Sequence, residues 1–220
     1  MIFRETPLHG AYVLELEQRA DERGFFARTF CANEFTAHGL KPTVAQANVS
    51  YNHHAGTMRG MHYQLPPAAE TKLVRCTRGA IYDVIIDLRP ESPSYLQHFG
   101  VELTEHNRLA LYVPELFAHG YLTLTDDAEV IYQVGEFYTP GYERGIRYDD
   151  PAFGIEWPAP ITLTSNKDQF WPAFSAESSA AEVAAGRNAT ADGGGAATTE
   201  GGGAATTEGG GAATTEGGGA

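Results

Sequence analysis

Arg78-Gly79-Ala80-Ile81-Tyr82-Asp83-Val84-Ile85-Ile86-Asp87-Leu88 decides how this chain is read. A glycine turn signal leads into a β-branched apolar run, which is the signature of a strand. Leu109-Ala110-Leu111-Tyr112-Val113 and Glu129-Val130-Ile131-Tyr132-Gln133-Val134 read the same way. Between and around them, Gly56, Gly60, Pro66-Pro67, Gly79, Pro90, Pro93, Gly100, Pro114 and Gly120 punctuate at short intervals. Many short strands with such breaks predict an all-β antiparallel sandwich or barrel. Helical signal is confined to Asn33-Glu34-Phe35-Thr36-Ala37-His38-Gly39, one short helix closed by Gly39. Neither a βαβ alternation nor a Gly-rich phosphate loop is present, which argues against Rossmann and P-loop enzymes.

The 220 residues are 42% hydrophobic, enough for one sizeable core. A net charge of −13 argues against nucleic acid and against an anionic membrane surface as partners. No apolar run approaches the roughly 18–20 residues of a membrane span. Residues 1–6 carry no basic-then-apolar pattern, so a cytoplasmic location is expected. Cys31 and Cys76 belong to no C-x-x-C pair, which argues against a disulfide framework and a zinc site.

Composition divides the chain in two. Residues 1–175 hold the folded domain, and residues 176–220 read as a disordered Gly/Ala/Thr/Glu tail. GGGAATTE recurs three times from Gly193, and 13 of the 25 glycines follow residue 185. With almost no large apolar side chain after Val183, burial cannot offset the entropy of ordering. A chain ending near Phe174 is therefore expected to keep full activity.

The polar residues gather in four stretches: residues 48–72, 118–121, 132–144 and 165–168. A lone histidine or tyrosine in a strand is more often structural than functional, so position must decide. Strict alternation places Gly60, His62 and Gln64 on one side of a strand and Arg59, Met61 and Tyr63 on the other. Gly60 leaves room beside His62, and Lys72 opens the next strand. A His and a Lys on adjacent strands at a barrel mouth suit an active site. Metal is not expected. The i±2 neighbours of His62 are Gly60 and Gln64, and the adjacent His53 and His54 point to opposite faces. There is no G-x-S-x-G elbow, and Cys76 reads as a buried small apolar residue. What remains is acid–base chemistry by His, Tyr, Lys and Asp, which suits proton abstraction next to a carbonyl.

These motifs, in order, resemble those of the dTDP-4-dehydrorhamnose 3,5-epimerase family over about residues 2–174. The matching stretches include Asp21-Glu22-Arg23-Gly24-Phe25-Phe26, Gln46-Ala47-Asn48-Val49-Ser50, Met58-Arg59-Gly60-Met61-His62-Tyr63-Gln64, Lys72-Leu73-Val74-Arg75, Phe117-Ala118-His119-Gly120-Tyr121 and Ser165-Asn166-Lys167-Asp168. The resemblance implies a cupin-type jelly-roll domain over 1–175, a homodimer, and no metal or other cofactor. It implies inversion of C3 and C5 of a dTDP-linked 4-keto sugar, with His62 as base, Asp168 as its carboxylate partner, Tyr132 as opposing acid and Lys72 near the C4 oxyanion. Arg23, Gln46, Asn48, Arg59, His119, Glu143 and Lys167 fall where the family contacts the nucleotide sugar, and Tyr138 where it stacks on the base. Two positions depart from the family pattern: Arg28, near the nucleotide, stands for the usual glutamate, and Leu116 for the usual glycine. The alternatives are a single-centre epimerase, a relative using a CDP- or GDP-linked sugar, and a non-catalytic nucleotide-sugar-binding cupin.

Overall fold

The computed structural model describes residues 1–193. Among the described residues thirteen strands run in chain order: β1 (Ile2–Glu5), β2 (Tyr12–Glu15), β3 (Arg19–Asp21), β4 (Gly24–Phe26), β5 (Gln46–Asn52), β6 (Met58–Gln64), β7 (Lys72–Arg78), β8 (Ala80–Asp87), β9 (His98–Thr104), β10 (Ala110–Val113), β11 (Phe117–Thr123), β12 (Ala128–Val134) and β13 (Glu143–Gly145). The helices are α1 (Ala32–Ala37), α2 (Asn166–Gln169) and α3 (Ala176–Gly193). One sheet has the order β1-β2-β10-β7-β12-β5, the other β13-β6-β11-β8-β9, and β3–β4 is a separate hairpin. The two large sheets face each other as a sandwich, the architecture expected from the strand pattern.

The run that decided the fold becomes β8. Ile81 and Ile85 enter the core between the sheets, while Val84, Ile86 and Leu88 enter a second core on the outer face. All five are 0% exposed, so the strand is apolar on both sides and shows no alternation. Each such side chain contributes about 1.5–3 kcal/mol of burial free energy. The outer core is roofed by the returning C-terminal chain, including Ile146, Phe153, Trp157 and Phe174. Among the described residues no helix is long and apolar enough to cross a membrane.

Three expectations need correction. First, β6 and β7 are consecutive in sequence but lie in opposite sheets, so His62 and Lys72 meet across the sandwich instead of side by side.

Second, β6 does not alternate strictly. His62 pairs with His119 and Arg59 with Tyr121, so three steps on β6 span two on β11. This bulge turns Arg59 to the same side as His62 and sends Met61 and Tyr63 into the outer core. Gly60 makes it possible, with φ 121° and no room for a Cβ, which would stand 2.5 Å from the Gly120 Cα.

Third, residues 176–193 form a helix within the stretch read as a disordered tail. Alanine, the strongest helix former, dominates it, and Val183 supplies the apolar anchor, 1% exposed in the outer core. Glu182 pairs with Arg144 of β13 at 3.1 Å, and Arg187 with Glu91 at 2.6 Å. The GGGAATTE repeat beyond Gly193 lies outside the described residues.

Candidate active site

A cavity of about 530 Å³ opens between the sheets, within the size range of small-molecule sites. The five-stranded sheet contributes Arg59 and His62 from β6 and His119 and Tyr121 from β11. The six-stranded sheet contributes Ser50 from β5, Lys72 from β7 and Tyr132 from β12. Residues 163–168 close one side with Leu163, Thr164, Ser165, Lys167 and Asp168.

At its centre His62 Nε2 lies 2.6 Å from Asp168 Oδ1. Two further bonds fix Asp168, one on its backbone and one on its carboxylate. Ser165 is the N-cap of α2, and its hydroxyl accepts the Asp168 N–H at 3.1 Å. The Gly60 N–H, freed by the bulge, reaches Asp168 Oδ2 at 3.4 Å. Burial alone pushes the Asp168 carboxyl up. The hydrogen bond and charge of His62, with the Gly60 and Ser165 bonds, outweigh it and hold the group below its ordinary value. With Nε2 engaged, Nδ1 is the His62 nitrogen that can take a proton. Trp171 stands edge-on to the His62 ring at 6.4 Å.

Tyr132 faces this dyad from the opposite wall. Burial first, then the charge of Glu70, pushes its phenol up, while Arg59 acts the other way. The group therefore stays protonated at neutral pH and can serve as an acid. Lys72 Nζ donates to the His62 carbonyl at 3.2 Å and is itself buried.

Deeper in, His119 Nε2 meets Asp83 Oδ1 at 2.7 Å, and Asp83 is 0% exposed. Among the described residues its Oδ2 has no hydrogen-bond partner, so within them the buried carboxylate depends on this one histidine. Asp83 and Tyr121 entered the sequence reading only as parts of motifs. The signal for Asp83 was a lone acid inside an apolar strand.

The cavity thus gathers His62, Asp168, Lys72, Tyr132, Arg59, His119 and Lys167 from the expected set. Gln46, Tyr138 and Glu143 form a linked group outside it. Gln46 Oε1 accepts the Tyr138 N–H at 3.0 Å, the Tyr138 hydroxyl reaches Glu143 at 3.4 Å, and Lys167 Nζ binds Glu143 at 2.6 Å. Asn48 is paired in register with Tyr132 but does not line the cavity. Arg23 and Arg28 lie elsewhere. Arg23, its side chain 85% exposed, follows β3 and binds Asp21, and Arg28 lines a separate recess with Glu34.

Charge is locally inverted. Although the chain is acidic, the cavity presents Arg59, Lys72, Lys167 and two histidines. Lys167 is matched by Glu143, His62 by Asp168 and His119 by Asp83. Arg59 donates to the neutral Asn52 Oδ1 at 2.6 Å, and among the described residues it has no carboxylate partner. It is the cation best placed to meet an anionic ligand.

Comparison with known proteins points one way. The family model described as dTDP-4-dehydrorhamnose 3,5-epimerase matches residues 5–176. A dTDP-4-dehydrorhamnose 3,5-epimerase of Methanothermobacter thermautotrophicus is 42% identical over 172 residues, 77% of this chain and 92% of that protein. The crystal structure of a Bacillus anthracis dTDP-4-dehydrorhamnose 3,5-epimerase with TDP and PPi bound superposes with a TM-score of 0.75 at 39% identity. That match covers 79% of this chain and 99% of the other. A dTDP-4-dehydrorhamnose 3-epimerase of Streptomyces niveus is 36% identical, over 77% of this chain and 82% of that protein.

Proposed function

The chain belongs to the dTDP-4-dehydrorhamnose 3,5-epimerase family, and from that premise we propose how its pocket inverts C3 and C5 of dTDP-4-dehydro-6-deoxy-D-glucose. The 4-keto group acidifies the C–H bonds on either side of it. His62 Nδ1 takes the proton, and the electron pair moves into the carbonyl to give an enolate. Lys72 holds the developing C4 oxyanion. Asp168 stabilises the imidazolium and fixes the ring. Tyr132, on the other wall, returns a proton to the opposite face of the carbon, so the centre is inverted. Both groups then exchange protons with solvent, and no electrons are gained or lost.

The observation that carries this reading is the His62–Asp168 dyad on one wall with Tyr132 on the other. Arg59 and Lys167 meet the diphosphate, His119 the sugar, and Tyr138 stacks on the base with Gln46, Asn48 and Glu143 around it.

For Arg23 and Arg28 to contact the ligand a second copy must bring them to the cavity, and the proposal therefore includes a homodimer. The outward face of β5 and β12 supports it, with Val49, Tyr51 and Ile131 exposed, as does the β3–β4 hairpin with Phe25 and Phe26 exposed. Sedimentation equilibrium is expected to give twice the chain mass.

The chemical test is deuterium incorporation from D2O into dTDP-4-keto-6-deoxyglucose, followed by proton NMR. Exchange is expected at C3 and C5, and His62→Ala is expected to abolish it while sparing TDP binding. Full exchange by that variant overturns the role of His62. Exchange at C3 alone is the outcome favoured by the likeness to the Streptomyces niveus 3-epimerase.

A further inference from the structure

Each cationic or basic side chain around the cavity, Arg59 apart, has a carboxylate of its own. Lys72 is matched by Glu70, a residue that is not part of the cavity wall. Glu70 Oε1 lies 3.3 Å from Lys72 Nζ, with the two side chains 13% and 9% exposed. Its other oxygen accepts from Gln64 Nε2 at 3.1 Å. Gln64 is 2% exposed and tied to its surroundings: its amide donates to the Ala68 and Phe137 carbonyls, and its Oε1 accepts the Thr139 N–H. The carboxylate is thus pinned at one end and holds the ammonium at the other. Lys72 in turn spans from Glu70 to the His62 carbonyl.

We propose that Glu70 is a positioning residue of the epimerisation: its carboxylate fixes the Lys72 ammonium against β6 and supplies its counter-charge. A lysine carries four rotatable bonds, and an unpaired ammonium in a cavity already holding Arg59 and Lys167 is repelled toward solvent. A fixed carboxylate removes both freedoms before substrate arrives. The charged and titratable groups that meet at this end of the cavity are Lys72 of β7, Tyr132 of β12, and Arg59 and His62 of β6. Beside burial, the negative charge of Glu70 favours the protonated form of Tyr132. This inference rests on the roles given above to His62, Lys72 and Tyr132.

The test compares wild type with Glu70→Gln, Glu70→Asp, Lys72→Met and the Glu70→Gln/Lys72→Met double variant. The readouts are steady-state turnover across pH and calorimetric binding of TDP. Glu70→Gln is expected to lower kcat about tenfold, the scale of one charged contact misplaced. KM and TDP affinity are expected to stay within about twofold. The alkaline limb of its profile is expected to move to lower pH, because losing a negative neighbour makes the Tyr132 phenol easier to ionise. Glu70→Asp is expected to restore part of kcat, and the double variant to be no slower than Lys72→Met. Unchanged kcat and limb in Glu70→Gln overturn the proposal, as does an additive loss in the double variant. Retention of full turnover by His62→Ala instead overturns the site assignment, so the two failures are distinguishable.

Discussion

At the scale of single residues, Asp168 carries the sharpest expectation. Its carboxyl is held below its ordinary value in the folded chain, so it contributes stability above the unfolded value near 3.8. That contribution is lost as pH falls through the lower, folded value. Asp168→Asn is therefore expected to lower Tm at pH 7, with the deficit vanishing in strong acid. The same change is expected to reduce kcat a hundredfold or more, because nothing then balances the His62 imidazolium. Thermal melts at a series of pH values, beside turnover assays, check both. Leu116 offers a second test. It is a non-glycine residue with φ 60°, where the family resemblance has glycine, yet it is 5% exposed in the outer core. The left-handed conformation costs about 1–2 kcal/mol, and the burial returns about 1.5–3 kcal/mol. Leu116→Gly and Leu116→Ala both forfeit the burial, but only the glycine relieves the backbone. Urea denaturation is thus expected to rank the glycine variant about 1 kcal/mol above the alanine variant, the reverse of the usual order.

At the scale of elements, the bulge in β6 brings Arg59 and His62 to one side. Gly60→Ala puts a methyl against the Gly120 backbone at a φ only glycine adopts freely. A loss of several kcal/mol in urea denaturation is expected, with turnover falling further than stability alone explains. The strands themselves were legible in the sequence. The runs at 80–88, 109–113 and 129–134 became β8, β10 and β12, and the short helix ends in a left-handed Gly39 as its turn signal suggested. That His62, Lys72, Tyr132 and Asp168 share one cavity was legible because each lies in a motif of fixed order. The bulge was not, since alternation runs through Gly60 without a mark and pairing partners are set by a strand 60 residues away. Nor was Glu70, whose role exists only because the Gln64 and Lys72 side chains converge on it in space.

At the scale of the whole molecule, α3 is part of the folded body. A chain ended at Ser175 loses the buried Val183, about 1.5–3 kcal/mol, together with the Glu182 and Arg187 ion pairs. It is expected to melt several degrees lower, whereas a chain ended at Gly193 is expected to match wild type, both read by calorimetry. Composition pointed the other way because a helix rich in alanine and anchored by one valine has no apolar stripe to detect.

The roof over β6, β11 and β8 is built from residues 146 onward, the final part of the described chain. The strands of both sheets precede this roof in the chain, so during synthesis Met61, Tyr63, Val84, Ile86 and Leu122 are expected to face water until it arrives. A nascent chain thus carries a sticky sheet face until residues 146–174 have left the ribosome, and slowing the ribosome over that stretch lengthens the interval. Holdase chaperones that shield apolar surface are expected to act on this window, and yield is expected to fall when residues 146–174 are read slowly.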